Sequence, residues 1–172
     1  KNQNPKTGLW GSPDNQGKNG LVQAGYHLLR GTYLYDKKEV RYIEKILDTT
    51  IESIYESPIF QAGCAEGCHD MDHFVLLEQG IKLSNGYREK EIKSIAEKRL
   101  EQLIALKKAD EGFSFEAKAS IRNHNRYNVT PGLPESDLVG TVFYLETILR
   151  ISRILGIPSN WKSSATHGIK ND

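Results

Sequence analysis

Residues 87–108 read YREKEIKSIAEKRLEQLIALKK. Ile92, Ile95, Ala96, Leu100, Leu103 and Ile104 recur at steps of three and four, and Glu and Lys fill most of the remaining positions. At 3.6 residues per turn those apolar positions gather on one side, so the stretch is predicted to be an amphipathic helix with one wet face. Upstream, Val40, Ile43, Leu47, Ile51 and Ile54 keep the same spacing. A capping box is expected ahead of them at Asp36 and Glu39, and Ser57-Pro58 should end that helix. Helical patterns also run over 21–35, over 65–83 up to Ser84-Asn85-Gly86, and from Glu135-Ser136-Asp137 to Gly156. Segments 21–35, 68–82 and 138–155 are apolar around much of their circumference, as helices between layers are. No stretch shows convincing strand alternation. The expected fold class is all-α, with five or six antiparallel helices and no sheet of three or more strands.

The chain has 172 residues, 23 Lys+Arg against 22 Asp+Glu, and two cysteines. One domain over 1–172 is expected, with 1–20 a loop wedged by Trp10 and 157–172 a polar tail. A net charge of +1 leaves no basic field, so neither nucleic acid nor a membrane is an expected partner. Two cysteines cannot staple a disulfide miniprotein. Lys1 in place of Met suggests a processed chain or a fragment.

Gln3-Asn4-Pro5-Lys6-Thr7-Gly8-Leu9-Trp10 places Gly five residues after Gln, and Trp two residues later. Asp110-Glu111-Gly112-Phe113-Ser114-Phe115 looks like a degenerate second copy. These turns resemble the Gln–Trp repeats and Asp-Gly-Gly-Phe turns of the α/α-toroid superfamily. That group contains terpenoid (triterpene) cyclases and protein prenyltransferase β subunits, with similar toroids in several polysaccharide lyases. The resemblance implies that Gly8 and Gly112 make tight turns and that Trp10 and Phe113 wedge between helix ends. The second copy departs from the pattern at Glu111, where Gly is usual. A full toroid needs about twelve helices, so the resemblance implies an open arc of helix hairpins, about half a toroid.

Two runs carry the candidate chemistry. The first is Cys64 to His73. On a helix, Glu66, His69, Asp70 and His73 would form one polar stripe, and Cys64, Cys68 and Asp72 a second. His and carboxylate at this spacing suit zinc, but cysteines four apart match no recognised zinc signature. Asp70-Met71-Asp72-His73 resembles half of the Asp-rich acid motif of hopene-forming cyclases, although 9% aromatic content offers no enriched lining for a carbocation. A packing reading also stands, with the polar groups bridging neighbouring helices. The second run is Arg122-Asn123-His124-Asn125-Arg126-Tyr127-Asn128. Arg can hold a carboxylate in a fork, and His or Tyr can move a proton. That inventory resembles the one toroid-type polysaccharide lyases use.

The expected site therefore has His73, Asp70, His124 and Tyr127 as catalytic groups, and Arg122, Asn123, Arg126, Glu66 and Asp72 as binding groups, converging on one cleft. The expected ligand is an oligosaccharide or uronate-bearing glycan, bound and processed in lyase or hydrolase fashion. No cofactor is expected, zinc being the minor alternative. Competing readings are a non-catalytic helical module, joined to the rest of a larger chain or to a second copy, and an isoprenoid-type or zinc-dependent enzyme. His27 is expected in the core, and His167 is given no role.

Overall fold

The computed structural model describes residues 3–158 apart from 13, 15, 16 and 125. His167 and most of the 157–172 tail lie outside the described residues. Five α-helices are present among the described residues: α1 (Gly17–Leu28), α2 (Ile43–Glu56), α3 (Gly67–Leu83), α4 (Glu89–Ile104) and α5 (Leu138–Leu155). The only sheet there is a ribbon in which β1 (Asn123–His124) pairs antiparallel with β2 (Tyr127–Asn128). The chain is all-α, as expected.

Local chemistry fixes most helix ends. Asp137 caps α5 by accepting from the Gly140 N–H at 2.6 Å, and Gly156 closes it at φ 70°. Ser57 ends α2 and opens a single 3-10 turn, Pro58–Phe60. The expected capping box fails. The residue before α2 is Tyr42, which makes no side-chain cap. α1 instead runs on as a π-helical turn, Leu29–Leu34, and the Asp36 N–H still bonds back to Thr32 O. Asp36 therefore belongs to the exit of the first helix, and its carboxylate binds Lys38 at 2.7 Å.

Both turns read as Gly-aromatic wedges are tight, with buried rings. Gly8 sits at φ 70°, where a Cβ would meet the Ile46 nitrogen and the Tyr42 oxygen. Gln3 donates to Gly8 O at 2.7 Å and accepts from the Arg41 N–H at 2.9 Å, which ties this turn to the approach of α2. Trp10 is buried and donates to the Tyr33 hydroxyl at 3.0 Å. In the second turn Phe113 is buried against Tyr144. Glu111, where a glycine is usual, takes φ 70°, a conformation that costs a non-glycine residue about 1 kcal/mol or more.

Helix α3 packs against α1, α2 and α5, and α5 also packs against α4. One apolar cluster joins Leu47, Phe74, Leu77, Ile92, Tyr144 and Ile151. The other joins Leu9, Trp10, Leu21, Tyr26, Ile46 and Val75. From Asp72 to Gly80, α3 is buried without interruption.

Candidate functional site

The first run does not form the stripe its spacing suggests, because the helix starts one residue too late. Glu66 precedes α3 in extended backbone (φ −147°, ψ 114°). Gly67 donates its N–H to Phe115 O at 3.1 Å, and Glu66 bridges to Glu116. From there the polar side chains of α3 diverge toward different neighbours.

Asp70 turns toward α4. Its two oxygens accept from Arg99 Nε and Nη2 at 2.7 and 2.8 Å, and both side chains are buried. Burial pushes the Asp70 carboxyl up and the guanidinium fork opposes it. His73 turns toward α2, fully buried, against the Phe60 ring. Its Nδ1 lies 2.7 Å from His69 O, so Nδ1 carries the proton, and Nε2 accepts from the Ser53 hydroxyl at 3.0 Å. Glu78 turns toward α5 and accepts from Arg150 at 2.8 Å. Burial works to raise its pKa, but the bonds from Lys82 and Arg150 outweigh that and hold it below the usual range. Asp70 and His73 thus have core partners where the sequence reading expected a cavity.

Asp72 is buried on the α1 side, where burial drives its carboxyl up to about 8, against the pull of Arg30. Burial drives His73 the other way, down to about 3. Their linkages are opposite in sign. The unfolded His73 takes a proton below about 6.5 and the native one does not, so that contribution is lost as pH falls from about 6.5 toward 3. Native Asp72 keeps its proton while the unfolded chain loses it above about 4, so that contribution is lost as pH rises from about 4 to 8. The two cancel between about 4 and 6.5, and above that the Asp72 contribution is no longer offset by His73. Stability should therefore fall by about 2 kcal/mol between pH 6.5 and 8, at roughly 1.4 kcal/mol per unit. Urea melts of the wild type and Asp72→Asn check this. Equal wild-type midpoints at the two pH values would refute it.

The remaining polar groups gather at the N-terminal end of α3. Glu66 Oε1 lies 3.3 Å from His69 Nε2 and 3.9 Å from Cys68 Sγ. Asn19 of α1 lies 2.6 Å from His69 Nδ1, and Gln23 donates to Cys68 Sγ at 3.7 Å. The bond to His69 leads the causes that hold Glu66 below its usual range. Burial pushes the Cys68 thiol up to about 12.

The second run reaches the same end through Phe115. That ring packs at Gly67, edge-on to His124 at 5.9 Å between centroids. Asp137 pins the segment by accepting from the N–H groups of Phe115 (2.8 Å) and Ile121 (3.0 Å). Gly140 is needed because the Phe115 backbone crosses α5 where a Cβ would stand. Arg122, Asn123, Arg126 and Tyr127 are exposed on the ribbon, and His124 is half-buried. Among the described residues, neither Arg122 nor Arg126 forms an ion pair. The structure thus brings His124 to the end that holds Glu66 and His69, and leaves Asp70 and His73 out.

Sequence reasoning missed Arg99, Arg150, Ser53 and Asn19. For Arg99 a signal existed, since it lies three residues after Ala96 and four before Leu103, inside the apolar face. His27 is exposed, contrary to expectation: its neighbours Tyr26 and Leu29 take the buried side of the helix. No family model matches the chain, nor does any curated protein or solved structure.

Proposed function

We propose that the chain binds an oligosaccharide or uronate-bearing glycan where the 122–128 ribbon meets the N-terminal end of α3. The observation that carries this reading is the ribbon itself, which presents two arginines with no carboxylate partner among the described residues beside Asn123, His124 and Tyr127. An exposed guanidinium can take a sugar carboxylate in a fork, and amide and hydroxyl groups suit sugar hydroxyls. His124 and Tyr127, paired across the ribbon, are the groups that would move a proton in lyase or hydrolase chemistry. The proposed architecture is an open arc of helix hairpins. The row α1–α3–α5, with α2 beside α1 and α3, and α4 beside α5, supports it.

Calorimetric titration with uronate oligomers tests the reading. Arg122→Ala and Arg126→Ala should each weaken binding about tenfold or more, the loss of a charged hydrogen bond, and added salt should weaken it further. Unaltered binding in both variants, or no binding by the wild type, would remove the proposal. A second reading, association with a larger chain or a second copy, is favoured by Leu138 and Val142. They lie one turn apart on α5 and are 80% and 51% exposed. Sedentary oligomer size in sedimentation runs of the wild type and Leu138→Glu distinguishes it.

A further inference from the structure

Three metal-ligating groups of different chemistry converge at the start of α3. The carboxylate of Glu66, the thiol of Cys68 and the imidazole of His69 each offer one atom, all within 4.8 Å of one another. Zinc bonds of about 2.0–2.1 Å to nitrogen or oxygen and about 2.3 Å to sulfur imply tetrahedral ligand–ligand edges of about 3.3 and about 3.6 Å. The Glu66–His69 separation is 3.3 Å and the Glu66–Cys68 separation is 3.9 Å. Those two separations lie within a few tenths of an ångström of the tetrahedral edges, and the third, between Cys68 and His69, is within 4.8 Å.

The surroundings support the same assignment. Asn19 Oδ1 is buried with no hydrogen-bond partner, while the amide nitrogen of the same side chain lies 2.6 Å from His69 Nδ1. Turning the amide over lets Oδ1 accept from Nδ1–H and leaves the Nε2 lone pair facing Glu66, with the amide nitrogen then taking the buried place that Oδ1 held. Once the Cys68 thiol, which donates toward Glu66, gives up its proton, the carboxylate, the sulfur and the Nε2 lone pair are three acceptors that a cation between them would satisfy. Such an outer partner on the far ring nitrogen is how metal-bound histidines are usually oriented. Gln23 donates to Cys68 Sγ, a bond suited to a thiolate. The geometry points to a zinc-type divalent cation held by Glu66, Cys68 and His69, with Asn19 positioning the imidazole and a fourth position left for water or substrate. The thiol proton passes to the buffer on binding. Three protein ligands and one open position is the pattern of catalytic rather than structural zinc. The inference stands independently of glycan binding, since a metal can be measured with no sugar present.

Cobalt(II) titration of the full chain tests it. A thiolate-to-cobalt charge-transfer band with tetrahedral d–d absorption should appear at one equivalent, and zinc should displace it. Cys68→Ser should abolish the band and Cys64→Ser should keep it, since Cys64 is exposed and outside the cluster. His69→Ala and Glu66→Gln should each lower affinity at least tenfold. Asn19→Ala should lower it about tenfold, and Asn19→Asp, which keeps an acceptor for Nδ1–H, should restore it. The proposal is overturned by absence of the band, by its survival in Cys68→Ser, or by equal cobalt affinity in a Glu66→Gln/Cys68→Ser/His69→Ala triple variant. If only the glycan variants fail to show their effect, the metal site still stands.

Discussion

Arg99→Ala should destabilise the fold by about 3–5 kcal/mol, the usual cost of removing one partner from a buried ion pair. The side chain is 3% exposed and its fork closes on a carboxylate that is 0% exposed. Arg99 also donates to the backbone oxygens of Ile59 and Cys64, at 3.3 and 3.2 Å, and to Gln102 at 2.9 Å. Its loss therefore leaves acceptors from two loop segments unpaired as well as Asp70. The pair as a whole is worth less than either half suggests, because desolvating two charges nearly offsets their attraction. Arg99→Leu combined with Asp70→Leu should accordingly recover much of the loss. Denaturant midpoints of the single and double variants decide this. A single variant within about 1 kcal/mol of wild type would show that water reaches Asp70.

Trp10→Ala should cost a similar amount, about 3–5 kcal/mol, by emptying a large aromatic site. The ring is buried among Leu9, Leu21, Tyr26 and Ile46, and meets the Tyr33 ring at 4.5 Å between centroids with the planes tilted by 45°. Trp10→Phe keeps most of that packing and loses only the bond to Tyr33, a difference of about 1 kcal/mol in hydrogen bonding. Thermal melts of both variants separate the two contributions. An unchanged melting temperature in Trp10→Ala would mean that the N-terminal loop does not hold α1 to α2.

The sequence was legible where chemistry is local. Asp137, Gly156 and Ser57-Pro58 mark helix ends because a cap, a left-handed residue and a proline each act within a few residues of themselves. Trp10 and Phe113 were legible as buried aromatics on tight turns. The Asp36–Glu39 box misled because the π-helical exit of α1 took Asp36 first, and a tertiary setting overrode a sound local pattern. The candidate site was half legible. Its residue types were evident in 64–73 and 122–128, but the direction each takes depends on helices far away in sequence. Asp70 faces inward because Arg99 waits there, and Glu66 leaves the stripe because Phe115 draws the backbone into a bridge. Neither partner is within reach of a local reading.

Helix α3 has a consequence of its own. A helix apolar on nearly every side has little preference for which side faces which neighbour, since turning it about its axis exchanges one greasy surface for another. Four of its polar links point in four directions: His69 to Asn19 of α1, His73 to Ser53 of α2, Asp70 to Arg99 of α4, and Glu78 to Arg150 of α5. A rotation of one residue, 100° about the axis, would break all four at once and bury the orphaned charges. Phe74, Val75, Leu76 and Leu77 drive this helix inside, and its ionisable residues act as keys that set its rotational register.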